Sequence, residues 1–204
     1  MDTEMESGMA SRMEPGTNSG MNSAQEDVLR FWVDEIGPDR WCVDDAGLDG
    51  QIRDRFEALW RRAGDGGCDH WVLTPRGALA LVILLDQFPR NMFRGTADAY
   101  RTDRRALCLC KQAIRRGHDK VTPEPERQFF YLPLMHSEIL PDQERCVRLI
   151  KLGMPKTGDG NIEHARRHRE VIRKFGRFPS RNSPLGRHDT EAEREYRASG
   201  GYMA

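Results

Sequence analysis

From Ala78 to Leu85 eight apolar residues run without a break, and the chain then turns polar at Asp86, Gln87, Arg90, Asn91 and Arg94. A helix that is apolar all round belongs at the centre of a packed domain. Thr74 as its N-cap and Pro75 at its first helical position predict where it starts. Other segments carry one apolar face and helix punctuation. Residues 23–37 open with a capping box, Ser23 with Glu26, and stop at Gly37. Leu48, Ile52, Phe56, Leu59 and Ala63 share a face that ends at Gly64. A helix from Thr96 closes on Arg115 and Arg116 before Gly117, a basic last turn that suits the helix dipole. Further helices are expected around Pro133, from Pro141 to Gly153, from Asn161 to Gly176, and from Thr190, where Glu193 completes a second capping box. The segment HWVLT (His70 to Thr74) is the best strand candidate, and it is short. The pattern predicts an all-α protein of about eight helices in antiparallel pairs.

Composition changes this picture at one end. Residues 1–23 hold Ser, Gly, Met and scattered acids, with no aromatic and no β-branched apolar side chain. Such a segment buries too little surface to offset its ordering entropy, so a disordered tail is expected there, followed by one helical domain over residues 24–204. No run approaches eighteen apolar residues and the tail lacks a signal-peptide core, so neither a membrane span nor export is indicated. Formal charge is zero, which argues against a dedicated nucleic-acid binder. Five scattered cysteines without a C-x-x-C pair point to reduced thiols and a cytoplasmic setting rather than to zinc or disulfides.

The polar end of the central helix carries the first candidate chemistry. LLDQFPRNMFRG (Leu84 to Gly95) is echoed by FGRFPSRNSPLGR (Phe175 to Arg187), so Phe-Pro-(x)-Arg-Asn occurs twice. Proline biases the preceding phenylalanine out of the α region, which predicts that each helix ends there. Each phenylalanine then plugs the core while Arg and Asn turn to a polar side. An ionised Asp86 at a helix C-terminus faces the negative end of the dipole and needs a cation. Arg90, Arg94, Arg177, Arg181 and Arg187 are available. Two readings stay open: an ion-pair network that locks two loops, or a cationic crevice for a carboxylate or phosphate. In the second, Asp86, Gln87, Arg90, Asn91, Arg177, Arg181 and Asn182 are the ligand-binding residues.

YLPLMHSEILPDQ (Tyr131 to Gln143) is the second constellation. Pro133 inside a helix removes a hydrogen bond and predicts a kink. Just beyond lie His136 and Glu138, a pairing suited to acid–base catalysis, with Asp86 as the other possible carboxylate. Ser137 is a weak nucleophile candidate, because adjacent helical residues diverge and no nucleophile-elbow glycines are present. His164 and His168 have a metal-capable spacing, but they continue into Val171 and Phe175 as a core-facing stripe, and the order H-E-x-x-H is absent. No metal and no cofactor is assigned. The arginine-rich run Arg166–Lys174 reads as a solvated face.

The blocks WVLTPRGALALVILLDQFPRNMFR, FFYLPLMHSEILPDQER and FGRFPSRNSPLGR closely resemble the domain-of-unknown-function family 924, in order and spacing from about Asp27 to Tyr202. The resemblance implies a tetratricopeptide-like, right-handed helical array and brings no established activity. Three functions follow as expectations. The first is a binding protein whose crevice takes an anionic small molecule or a peptide terminus. The second is an enzyme at the same crevice with His136 as acid or base. The third is an interaction scaffold for a protein partner, in which the polar residues only lock helices.

Overall fold

A computed structural model describes residues 19–202. Among them no strand occurs, and the chain is all-helical as expected. The predicted disordered tail falls largely on residues 1–18, outside the described residues. The first helix, α1 (Ser19–Leu29), already includes Ser23. Ser23 is therefore inside a helix rather than its cap, which corrects the predicted start. The expected strand HWVLT is a 3₁₀ turn, Asp69–Leu73.

The central helix is α3 (Pro75–Val82), capped as predicted by Thr74, whose hydroxyl accepts from the Gly77 amide at 3.1 Å. Only glycine fits at position 77, since a Cβ there would stand 2.5 Å from the Trp71 carbonyl oxygen. Every residue from Gly77 to Asp86 is buried. Around α3 pack α1 and α5 (Asp103–Arg115), while the predicted amphipathic helix α2 (Ala46–Gly64) packs on the segment that follows α3, residues 83–92. Phe31, Trp32, Phe56, Phe88 and Phe129 form a ring-on-ring core at tilted and edge-on angles. The short α6 (His118–Val121) leads to the turn before α7 (Leu132–Met135). The long pair α8 (Leu140–Gly153) and α9 (Asp159–Phe175) packs side by side, and α10 (Glu191–Ala198) starts on the predicted Thr190–Glu193 capping box.

The helix expected from Thr96 begins only at Asp103, after a 3₁₀ turn over Ala97–Tyr100, and two further departures shape the site. Beyond α3 the chain widens into a π-turn over Ile83–Gln87 and then continues through Pro89 as α4 (Phe88–Met92). Phe88 therefore keeps α-region dihedrals (φ −61°, ψ −42°), against the expectation that proline would end the helix before it. Phe178 does obey that expectation, with φ −90° and ψ 112°. Pro89 has no N–H for the carbonyl of Leu85, four residues back. Thr102 Oγ1 donates to that oxygen instead at 2.6 Å, and itself accepts from the Trp60 indole at 3.0 Å. The extra residue in the wide turn rotates the downstream side chains by about 100° about the helix axis. Both phenylalanines of the echo are fully buried plugs.

Pro133 does more than kink a helix. It sits in the first turn of α7, and the chain leaves helical geometry after Met135 before restarting at Leu140. Proline at a first turn lacks a hydrogen it does not need there, so the local solution is a break. Gln143 secures it: its Nε2 donates to the carbonyls of Met135 (2.5 Å) and Ser137 (2.7 Å).

Candidate functional site

The break at residues 136–139 faces the N-terminal turn of α5 and the loop after the 3₁₀ turn Pro179–Arg181. Between them lies a cleft of about 330 Å³, lined chiefly by Tyr100, Asp103, His136, Ile139, Arg181 and Leu185. Arg104 and Glu138 also reach it. At its floor His136 Nδ1 meets Asp86 Oδ1 at 2.9 Å and Oδ2 at 3.0 Å. Gln87 Nε2 donates to Asp86 Oδ2 at 2.6 Å, and Arg90 Nη1 lies 3.4 Å from Oδ1. Arg90 also pairs bidentately with Asp103, at 2.9 Å and 2.9 Å. The second echo joins here: Arg181 Nη1 reaches Asp103 Oδ2 at 3.3 Å. The guanidinium of Arg181 lies over the rings of Tyr100 (4.8 Å) and Phe178 (4.5 Å). The two Phe-Pro elements thus meet across one carboxylate, that of Asp103.

The charges set each group's state. Burial pushes the Asp86 carboxyl up, but the charge of Arg90 and the hydrogen bonds from His136 and Gln87 outweigh it and hold Asp86 below the usual carboxylate range. Burial lowers the His136 pKa and the nearby Arg90 charge lowers it further, against the pull of Asp86. At neutral pH His136 is neutral and Asp86 ionised. A carboxylate only accepts, so Nδ1 carries the hydrogen and Nε2 keeps the lone pair. Behind this ring sits His168, its centroid 6.4 Å away, with Nδ1 2.9 Å from the His164 carbonyl oxygen. Burial, then the neighbouring His136, lowers the His168 pKa to about 3. Arg181 is lowered too, by burial and by the repulsion of Arg90; an arginine still stays protonated.

Several expected site residues are committed elsewhere. Glu138 does not bond His136. It accepts from the Phe178 amide at 2.8 Å and pairs with Arg187 at 2.8 Å and 3.0 Å, because the backbone break turns it toward the second Phe-Pro loop. Arg177 pairs bidentately with the buried Glu193 (2.6 Å and 2.7 Å), fastening α10. Asn182 donates to Asp189 at 2.6 Å in the same fastening. Asn91 donates to the Gln87 carbonyl at 3.0 Å and accepts from Arg94 at 2.7 Å, outside the cleft lining. Arg94 turns away to Asp44 and Asp49. Ser137 is buried and donates to Asp142 at 3.0 Å, so its hydroxyl is a brace. His168 packs on Phe178 as the core-facing stripe predicts, whereas His164 is exposed. Among the described residues no group of three or more His, Cys, Asp or Glu is placed to hold a metal ion. No described helix is long and apolar enough to cross a membrane.

Sequence reasoning missed Tyr100, Asp103 and Arg104. Asp103 reads in sequence as an ordinary first-turn acid of α5. Nothing local signals that two distant arginines converge on it.

Fold and site together define an all-helical protein in which a half-buried histidine, paired with a buried carboxylate, lies at the floor of an arginine-lined cleft. The chain belongs to the family described as bacterial protein of unknown function (DUF924), whose model matches residues 28–201. It is similar to a solved structure, that of the protein of unknown function ATU0120 from Agrobacterium tumefaciens, at 40% identity and a TM-score of 0.82. That match covers 88% of this chain and 99% of the other. No curated protein matches.

Proposed function

We infer that the cleft binds a small anionic molecule or the carboxylate terminus of a peptide. One observation carries this: the cleft and the ion pairs beneath it together hold one more cation than acid. Arg104 and Arg181 line it with Asp103 and Glu138, and behind them Arg90 and Arg187 stand against Asp86, with His136 neutral. Arg104 is exposed at the rim and has no ion-pair partner among the described residues, and Arg181 shares Asp103 with the better-placed Arg90. An arginine held between two aromatic rings beside an already matched acid is preorganised for a second anion. The test is titration with small carboxylates and inorganic phosphate, following the His136 imidazole resonances. Saturable shifts that vanish in Arg181→Ala support the reading. Unmoved resonances at every concentration overturn it.

A second reading, acid–base catalysis, rests on the His136–Asp86 geometry. The carboxylate fixes the ring and its tautomer, which turns Nε2 into a proton acceptor toward a ligand seated beside Arg181. Uptake of solvent deuterium by a bound acid, abolished by His136→Gln, is its signature. Binding without any such exchange leaves the cleft a binding site.

A further inference from the structure

The cleft has two unlike ends. Its floor is polar, with His136, Asp103 and Arg181, while its rim carries Ile139 and Leu185, exposed at 54% and 38%. Leu140, exposed at 36%, stands next to Ile139. A lone exposed leucine on a protein surface is ordinary. Here, however, each apolar rim residue is tied to a floor residue by a short piece of chain. Ile139 follows His136 by one tight segment, in which its amide donates to Ser137 Oγ at 3.3 Å. Leu185 closes a turn on Arg181, its amide donating to the Arg181 carbonyl at 3.1 Å. That backbone bond holds the apolar lip one turn above the cation. The side walls add the ring of Tyr100, Leu107 and Pro133. At about 30 Å³ per water-sized group, the cleft has room for roughly ten non-hydrogen atoms.

Building on the anion-binding reading, we propose that the ligand is an amphipathic carboxylate, a small free acid with an apolar body. Its head pairs with Arg181 at the floor, and its aliphatic or aryl part lies against Ile139, Leu185 and Tyr100. A sugar phosphate or another wholly polar anion would leave its hydroxyls facing that apolar rim without partners, which disfavours it.

The experiment is a calorimetric titration of the full chain with acetate, butyrate, hexanoate and octanoate, with hexylamine as the charge control. The expected result is affinity rising about fourfold per methylene, until the chain fills the cleft. In Ile139→Ser/Leu185→Ser the rise per methylene should shrink toward none; both side chains are exposed, and a thermal melt verifies the fold. Binding that is equal at all chain lengths overturns this proposal and leaves the anion-binding reading standing. No binding of any acid, by heat or by His136 resonance, overturns both. Hexylamine binding as tightly as hexanoate removes the role of charge and overturns the proposal. An acetylated dipeptide ending in leucine that binds more tightly than octanoate overturns the choice of a small free acid.

Discussion

The Nδ1 atom of His136 sits almost evenly between the two carboxylate oxygens of Asp86, at 2.9 Å and 3.0 Å, across fifty positions of sequence. One N–H shared by both oxygens fixes the ring plane, and the nearby Arg90 keeps the acid ionised. Each partner sits where a helix turns irregular: Asp86 in a π-turn, His136 at the end of α7.

Acid should destabilise the protein in a window set by the histidines. The His136 and His168 pKa values are lowered in the folded protein, His168 to about 3, while an unfolded imidazole titrates near 6.5. Between those values the unfolded chain binds more protons, so stability is complete above about pH 6.5 and falls as pH drops toward about 3. Asp86, also depressed, adds a loss in the same direction below about pH 3.9. Melting temperature measured from about pH 7.5 down to about pH 4.5 should fall steadily, and His168→Gln should flatten the slope. An unchanged slope in that variant would remove His168 from the account.

Arg90 and Arg181 should behave differently when truncated. Arg90 serves both Asp86 and Asp103, so Arg90→Ala leaves a buried carboxylate uncompensated and should cost about 3–5 kcal/mol. Arg181→Ala leaves Asp103 with Arg90 and relieves the repulsion between the two guanidiniums. Its cost is mainly contact with Tyr100 and Phe178, about 1–2 kcal/mol. Denaturant unfolding of both variants gives the order, and a larger loss for Arg181→Ala would show that the roles are reversed.

Gln143 should matter to the site without entering it. It is fully buried and satisfies two carbonyls where α7 ends, on either side of His136. Gln143→Leu keeps the volume but strands both oxygens, at about 1–3 kcal/mol each. Chemical unfolding should show that loss, and the His136 resonances should move without any ligand present. Resonances that stay in place would mean the break holds its shape by other contacts.

The Thr74 cap of the central helix offers a simpler check. Thr74→Ala removes the bond to the Gly77 amide and should cost about 1 kcal/mol. A thermal melt reads it, and a loss several times larger would show that the loop Asp69–Leu73 depends on this residue as well.

What the chain determines by itself is local. Thr74, Pro75, Gly37, Gly176 and the Thr190–Glu193 box mark helix ends because each acts through hydrogen bonds or dihedrals within a few residues. The run of apolar residues from Ala78 placed α3 at the centre for an equally local reason. Asp86, Arg90, His136 and Arg181 were legible as chemistry gathered at helix ends, and they do meet. Their partners were not legible. With 32 basic and 32 acidic side chains, the sequence offers many pairings of similar merit. Tertiary packing chose among them, joining Arg181 to Asp103 across 78 positions and turning Glu138 to Arg187 instead of His136. It also decided the π-turn after Val82, where Thr102 supplies the hydrogen that Pro89 lacks, and the break after Met135, where Gln143 satisfies the freed carbonyls. A helix end is written by its neighbours in sequence; an ion pair is settled by whichever opposite charge the packed core brings within reach.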